Sequence, residues 1–184
     1  RHMQSEDGGS IYLRLSTRPL GQPERTLSDG TVNQIISGAY WRQKPASGAS
    51  FVLVYCGAVA PEVEHAFREV LEDEPGAGLL AITSPDRIYE NWQSVKGRQL
   101  SGADSASAFI EEVLEVVPNS AALITVIDGH PATLAWLGSV RGHRIYPLGV
   151  NTFGQSGDVL ELYASYGLDS NTIIDAVAMA CLAT

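Results

Sequence analysis

Residues 123–169 restrict what this chain can fold into more than any other stretch. They begin with Leu123-Ile124-Thr125-Val126-Ile127, a short apolar run without polar alternation, which suits a strand covered on both faces. Asp128-Gly129-His130-Pro131 breaks the run. Pro131 is placed to open a helix, where its missing N–H and fixed φ cost nothing. Leu134, Ala135, Leu137 and Gly138 carry the chain back, and a second apolar run covers residues 145–150. A strand–helix–strand unit of this length is a parallel crossover, so its sheet needs helices over its faces. Phe153-Gly154-Gln155-Ser156-Gly157 reads as a loop, and Asp158-Val159-Leu160-Glu161 as a capping box at the next helix start.

The remaining pattern supplies partners for this unit. Phe51-Val52-Leu53-Val54-Tyr55-Cys56 is the clearest strand, and residues 79–83 form another. Residues 38–42 read as an edge strand, closed by Lys44-Pro45 and the turn Ala46-Ser47-Gly48. Pro61 opens a helix with Val63, Ala66, Phe67, Val70 and Leu71 on one face, and its glutamates form a solvated face. Ser84-Pro85-Asp86 opens a helix bearing Ile88, Tyr89, Trp92 and Val95, after which residues 96–105 read as a loop. Ala106, Phe109, Ile110, Val113, Leu114 and Val117 repeat at helical spacing. The last helix shows Ile173, Ile174, Val177, Ala178, Cys181 and Leu182 as its stripe. Alternating strands and helices predict a three-layer α/β/α sandwich: a mixed, mostly parallel sheet of about five strands with one antiparallel edge strand.

At 184 residues the chain suits one compact domain, and a chain this size buries roughly 70% of its unfolded surface without staples. A net charge of −9 argues against nucleic-acid or anionic-membrane partners, which need a basic surface. No run of 18 apolar residues and no leader-like segment are seen, so a cytoplasmic protein is expected. Cys56 and Cys181 read as buried small hydrophobes rather than a disulfide. Residues 1–9 read as a tag remnant with a disordered lead. Residues 10–15 read as a strand with Ile11, Leu13 and Leu15 on one face, and residues 19–30 as a Pro/Gly-rich linker.

An open α/β sheet binds ligands at strand C-termini near a switch point, so the loops after Cys56, Thr83, Ile127 and Val150 are where chemistry is expected. No G-x-G-x-x-G or Walker-type phosphate loop follows a strand. The helix start near Asp158 already carries its own anion. Gly154-Gln155-Ser156-Gly157 lacks the second glycine of a nucleophile elbow, so Ser156 reads as a cap or turn residue. Cys56 lies inside a strand, away from any feature that lowers a thiol pKa. Asp128 and His130 have no partner spacing that completes a metal site, and His130 reads as a loop residue bonding its own turn.

Three motifs carry a resemblance: Leu148-Gly149-Val150 followed by Phe153-Gly154-Gln155-Ser156-Gly157; Tyr166-Gly167-Leu168-Asp169 between two helices; and Asp128-Gly129-His130-Pro131 leading into Thr133-Leu134-Ala135-Trp136-Leu137-Gly138. In order and spacing they resemble the C-terminal domain of the transketolase superfamily of thiamine diphosphate enzymes. The nearest branch is the homodimeric E1 component of pyruvate-type 2-oxoacid dehydrogenases. That resemblance implies that residues 10–30 end a preceding pyrimidine-binding domain and its linker, that residues 31–184 form the C-terminal domain, and that the chain is a piece of a longer polypeptide. It implies no catalytic, cofactor-binding or metal residue in this piece, with thiamine diphosphate and Mg2+ bound by other domains of the full enzyme. The implied partners are those preceding domains, a second copy in a homodimer, and an acyltransferase (E2) component. Phe153, Gly154, Gln155, Ser156 and Gly157 are the candidate interface, with Phe153 as apolar anchor, while Asp128 and His130 are candidates for the active-site approach. A transketolase moving two-carbon ketol units and a free-standing nucleotide-binding α/β module remain as alternatives.

Overall fold

The computed structural model of the chain describes residues 4–10, 16, 18–21, 26–103, 105–152 and 154–183. Four strands, β2 (Phe51–Cys56), β3 (Gly78–Ile82), β4 (Ala122–Ile127) and β5 (Ile145–Leu148), run parallel, and β1 (Ala39–Gln43) pairs antiparallel with β3. The sheet order is β1-β3-β2-β4-β5. This is the expected sandwich, with the antiparallel strand at the expected edge. Pro147 is tolerated in β5 because that strand lies at the other edge, where a missing N–H breaks no ladder.

The unbroken apolar runs follow from burial on both sides. Phe51, Leu53 and Tyr55 of β2 face one core with Ala122, Ile124 and Val126 of β4, whereas Val52, Val54 and Leu123 face the other. The first core is roofed by α2 (Ala60–Val70), α7 (Val159–Tyr166) and α8 (Ser170–Leu182). The second is roofed by α3 (Pro85–Leu100), α4 (Phe109–Val113), α5 (Ala132–Ala135) and α6 (Gly138–Arg141).

Several helices differ from the expected pattern. A helix α1 (Asp29–Ser37) occupies the end of the stretch read as linker; Ser28 caps it by accepting from the Thr31 N–H at 3.2 Å. Helix α3 runs on to Leu100 through the expected loop, because its last turn is solvated and needs no apolar stripe. The helix expected over 106–117 shrinks to α4 and a 3-10 turn, Leu114–Val116. Its start is fixed from both sides: Asn91 Oδ1 of α3 accepts from the Phe109 N–H, and the helix's own Glu111 accepts from the Ala108 N–H at 2.8 Å while pairing with Lys96 of α3 at 2.6 Å. The helix after Pro131 splits into α5 and α6, with Pro131 capping α5 rather than sitting inside it. On α8 the buried stripe is Ile173, Ala176, Val177 and Ala180; Leu182, expected inside, is 87% exposed. The strand expected over 10–15 lies outside the described residues, apart from Ser10.

The motif residues have structural work. Gly167 ends α7 at φ +67°, Leu168 is fully buried, and Asp169 caps α8 by accepting from the Asn171 and Thr172 N–H groups. Gly149 lies against the Gly129–Pro131 backbone: an added Cβ would sit 2.6 Å from Gly129 O and 2.8 Å from Pro131 N. The Val150 N–H donates to Gly129 O at 2.8 Å. The two loops that follow β4 and β5 are therefore one packed unit.

Candidate functional site

Strand order dictates where a crevice opens. From β2 the chain crosses to β3 on one side, and from β3 to β4 on the other, so the connections after β2 and β4 diverge at their C-terminal ends. A cleft of about 610 Å³ lies there, lined by Ser16, Cys56, Gly57, Ala58, Pro85, Ile127, Asp128, Gly129, His130 and Thr133. Asp128 also borders a smaller hollow of about 280 Å³ with Ser16, Arg18, Val150, Leu162, Tyr163 and Tyr166.

One wall is a polar network. Arg18 makes a two-pronged ion pair with Glu62 at the start of α2, at 2.6 and 2.9 Å, and donates to Ala58 O at 3.4 Å. Its guanidinium lies 5.4 Å from the centre of the Tyr163 ring, a cation–π distance. The Tyr163 hydroxyl donates to Asp128 Oδ2 at 3.1 Å. Bonding to Glu62 holds the Arg18 guanidinium above its ordinary pKa. Burial, with the Asp128 carboxylate acting in the same direction, pushes the Tyr163 phenol up to about 12. Arg18 is thus tied to α2 and α7, and through Tyr163 to the loop after β4.

Of the residues singled out from sequence, Asp128 and His130 both reach the cleft. His130 Nδ1 accepts from the Ala132 N–H at 3.2 Å, which leaves its ring proton on Nε2. Cys56 and Cys181 are half-buried rather than fully inside. Burial, then the nearby Asp86 carboxylate, pushes the Cys56 thiol up to about 11, so it is protonated and unreactive at neutral pH. Gly154, Gln155, Ser156 and Gly157 are exposed and do not line the cleft, and Phe153 lies outside the described residues. Asp158, not Ser156, caps α7, accepting from the Leu160 N–H at 3.0 Å. Among the described residues no hydrogen bond joins Cys56 or Thr133 to His130, and no group of three or more His, Cys, Asp or Glu side chains could hold a metal ion. No helix among them is long and apolar enough to cross a membrane.

Arg18, Glu62 and Tyr163 carry the network without having been singled out as site residues. Arg18 and Glu62 are 44 positions apart, beyond the reach of any local periodicity. The sequence signal at Arg18 is Thr17-Arg18-Pro19, which resembles the E1 branch, but nothing in that match points to Glu62 or Tyr163.

No family model matches the sequence, and no curated protein matches it. Solved structures do. Transketolase from Leishmania mexicana superposes with a TM-score of 0.58 at 12% identity, over 83% of this chain and 19% of that one. Transketolase from Campylobacter jejuni subsp. jejuni NCTC 11168 gives 0.53 at 16%, over 85% and 20%. The chain has a transketolase C-terminal-domain-like fold. A split-gene transketolase, solved as an inactive beta4 tetramer, gives 0.51 at 18% identity, over 78% of this chain and 42% of that chain. The chain thus spans about a fifth of the length of the Leishmania and Campylobacter transketolases and under half of the split-gene one.

The cleft of this transketolase-like fold does not suit thiamine diphosphate. A diphosphate needs free N–H groups at a positive helix end, yet α2 and α3 carry Glu62 and Asp86 in their first turns, and Asp128 lines the cleft. Among the described residues no set of carboxylates gathers to hold Mg2+ either.

Proposed function

We propose that this chain is the non-catalytic C-terminal domain of a thiamine diphosphate-dependent enzyme, packing against preceding domains of the same polypeptide and contributing to a homodimer. The parent reaction is read as oxidative decarboxylation of pyruvate or a related 2-oxoacid, with acyl transfer to the lipoyl group of an acyltransferase component. The contact between Gly149 and the Gly129–Pro131 backbone carries this reading, because it joins Asp128-Gly129-His130-Pro131 and Leu148-Gly149-Val150 into one unit within a transketolase-like fold. The loop 153–157, exposed where it is described, is the proposed contact with the neighbouring domain or subunit.

Ketol transfer is the second reading, favoured by the transketolases among the structural neighbours. The two separate in one assay. The parent protein, supplied with thiamine diphosphate and Mg2+, is expected to reduce ferricyanide with pyruvate and to leave xylulose 5-phosphate plus ribose 5-phosphate unconverted. The reverse outcome selects the transketolase reading. Turnover of either substrate by the purified 184-residue chain would overturn the scaffold role itself.

A further inference from the structure

Beside the polar cleft, and sharing Pro85 and Thr133 with it, lies a notch of about 390 Å³ between α3 and α5, lined by Pro85, Asp86, Tyr89, Ala132, Thr133 and Trp136. Two aromatic rings form its corner: Tyr89 and Trp136 lie 5.0 Å apart at 67°. The Trp136 ring is held in place, stacked on Trp92 at 5.1 Å and 26°, with its Nε1–H donating to Thr133 O at 3.0 Å. Tyr89 stays 42% exposed. Asp86 is the one charged residue in the lining, and among the described residues its carboxylate has no ion pair or hydrogen bond.

This combination selects a ligand class. A phosphate or carboxylate is repelled by Asp86. A purely apolar group would strip water from that carboxylate with nothing to replace it. An organic ammonium ion satisfies both surfaces: its positive charge lies against the aromatic corner and a carboxylate, and its methyl groups are weakly hydrated. We propose that the Asp86–Tyr89–Trp136 notch is a binding site for a small organic ammonium ion bearing methylated nitrogen. The site is independent of the reading of the chain as an enzyme domain, since it uses no residue of the polar network.

The test is a titration of the purified chain with choline, followed by the indole N–H resonance of Trp136, assigned with a Trp136→Phe variant. Choline is expected to move that resonance saturably. Its neutral isostere 3,3-dimethylbutan-1-ol should bind at least about tenfold more weakly, and Asp86→Asn should weaken choline about fivefold. Asp86 lies outside the buried core, and circular dichroism checks that the variant is folded. Equal affinity for choline and the isostere, or no loss in Asp86→Asn, overturns the proposal. So does sedimentation with phosphatidylcholine vesicles without a response to free choline, which would make the surface a lipid contact.

Discussion

Arg18, Glu62, Tyr163 and Asp128 hold one another on the α7 side of the cleft, whereas on the α3 side Asp86 shares a notch with Tyr89 and Trp136 and has no bonded partner among the described residues. Both sides join the same sheet ends, and both contain carboxylates. On the first, each charge is taken up in fixing chain segments to one another, so removing any member leaves a half-buried group unmatched. On the second, the rings are held by stacking and one indole bond, and the carboxylate contributes nothing to that arrangement. The comparison predicts that substitutions on the first side show up as lost stability, and on the second as lost binding.

The largest effect is expected beneath both. Gly149 supports the loop that carries Asp128 to one side and leads into Ala132, Thr133 and Trp136 on the other. A methyl there meets backbone rather than a flexible side chain. Gly149→Ala should cost about 3 kcal/mol, the upper range for forced overpacking, read from the urea midpoint. Loss of the Tyr163–Asp128 bond together with a changed Trp136 indole environment would confirm that both sides rest on this contact. A change under about 0.5 kcal/mol would show that the loops part freely.

Arg18→Ala is next. The pair it breaks is 21% exposed at Arg18 and 10% at Glu62, between the fully buried and surface cases. About 2 kcal/mol is expected, because Glu62 is left without its cation. A double-mutant cycle with Glu62→Gln should return a coupling of about 1 kcal/mol; zero coupling would reduce the network to coincident geometry.

Tyr163 supplies a pH-dependent version of the same comparison. Its phenol is neutral in the fold up to about 12, against 10.0 for the free group. Between those values the unfolded chain loses the proton and the folded one keeps it, so stability is complete below pH 10 and falls as pH rises toward 12. Tyr163→Phe should remove about 1 kcal/mol of that alkaline loss. An identical slope in the variant would place the loss elsewhere, Tyr55 being another phenol that burial pushes up.

How far the fold was legible depends on the kind of interaction. Parallel strands buried on both faces write themselves as apolar runs, and β2 and β4 were clear for that reason. Helix ends were less clear: α1 starts with Asp29-Gly30, a pair that looks like a turn until Ser28 is seen to cap it, and the start of α4 is held by Asn91 of α3 together with the helix's own Glu111. Gly149 and Gly167 were legible as motif members, but not for what they do. Only the folded chain shows that one prevents a backbone clash and the other ends a helix. The Arg18 network and the aromatic corner were not legible at all, because each unites residues from separate elements, and periodicity carries no information across such gaps.

The smallest effect distinguishes the two sides most sharply. Asp86 lies in the first turn of α3, where a carboxylate favours the helix N-terminus by about 0.3–1 kcal/mol. It also opposes ionisation of the Cys56 thiol, a contribution without consequence below pH 9. Asp86→Asn should therefore lower stability by only about 0.5 kcal/mol, against about 2 for Arg18→Ala. If Asp86→Asn instead costs as much as Arg18→Ala, the carboxylate is part of the scaffold and the contrast between the two sides fails. If it raises stability, Asp86 is held against its own electrostatic interest, as expected of a group kept for a ligand rather than for the fold.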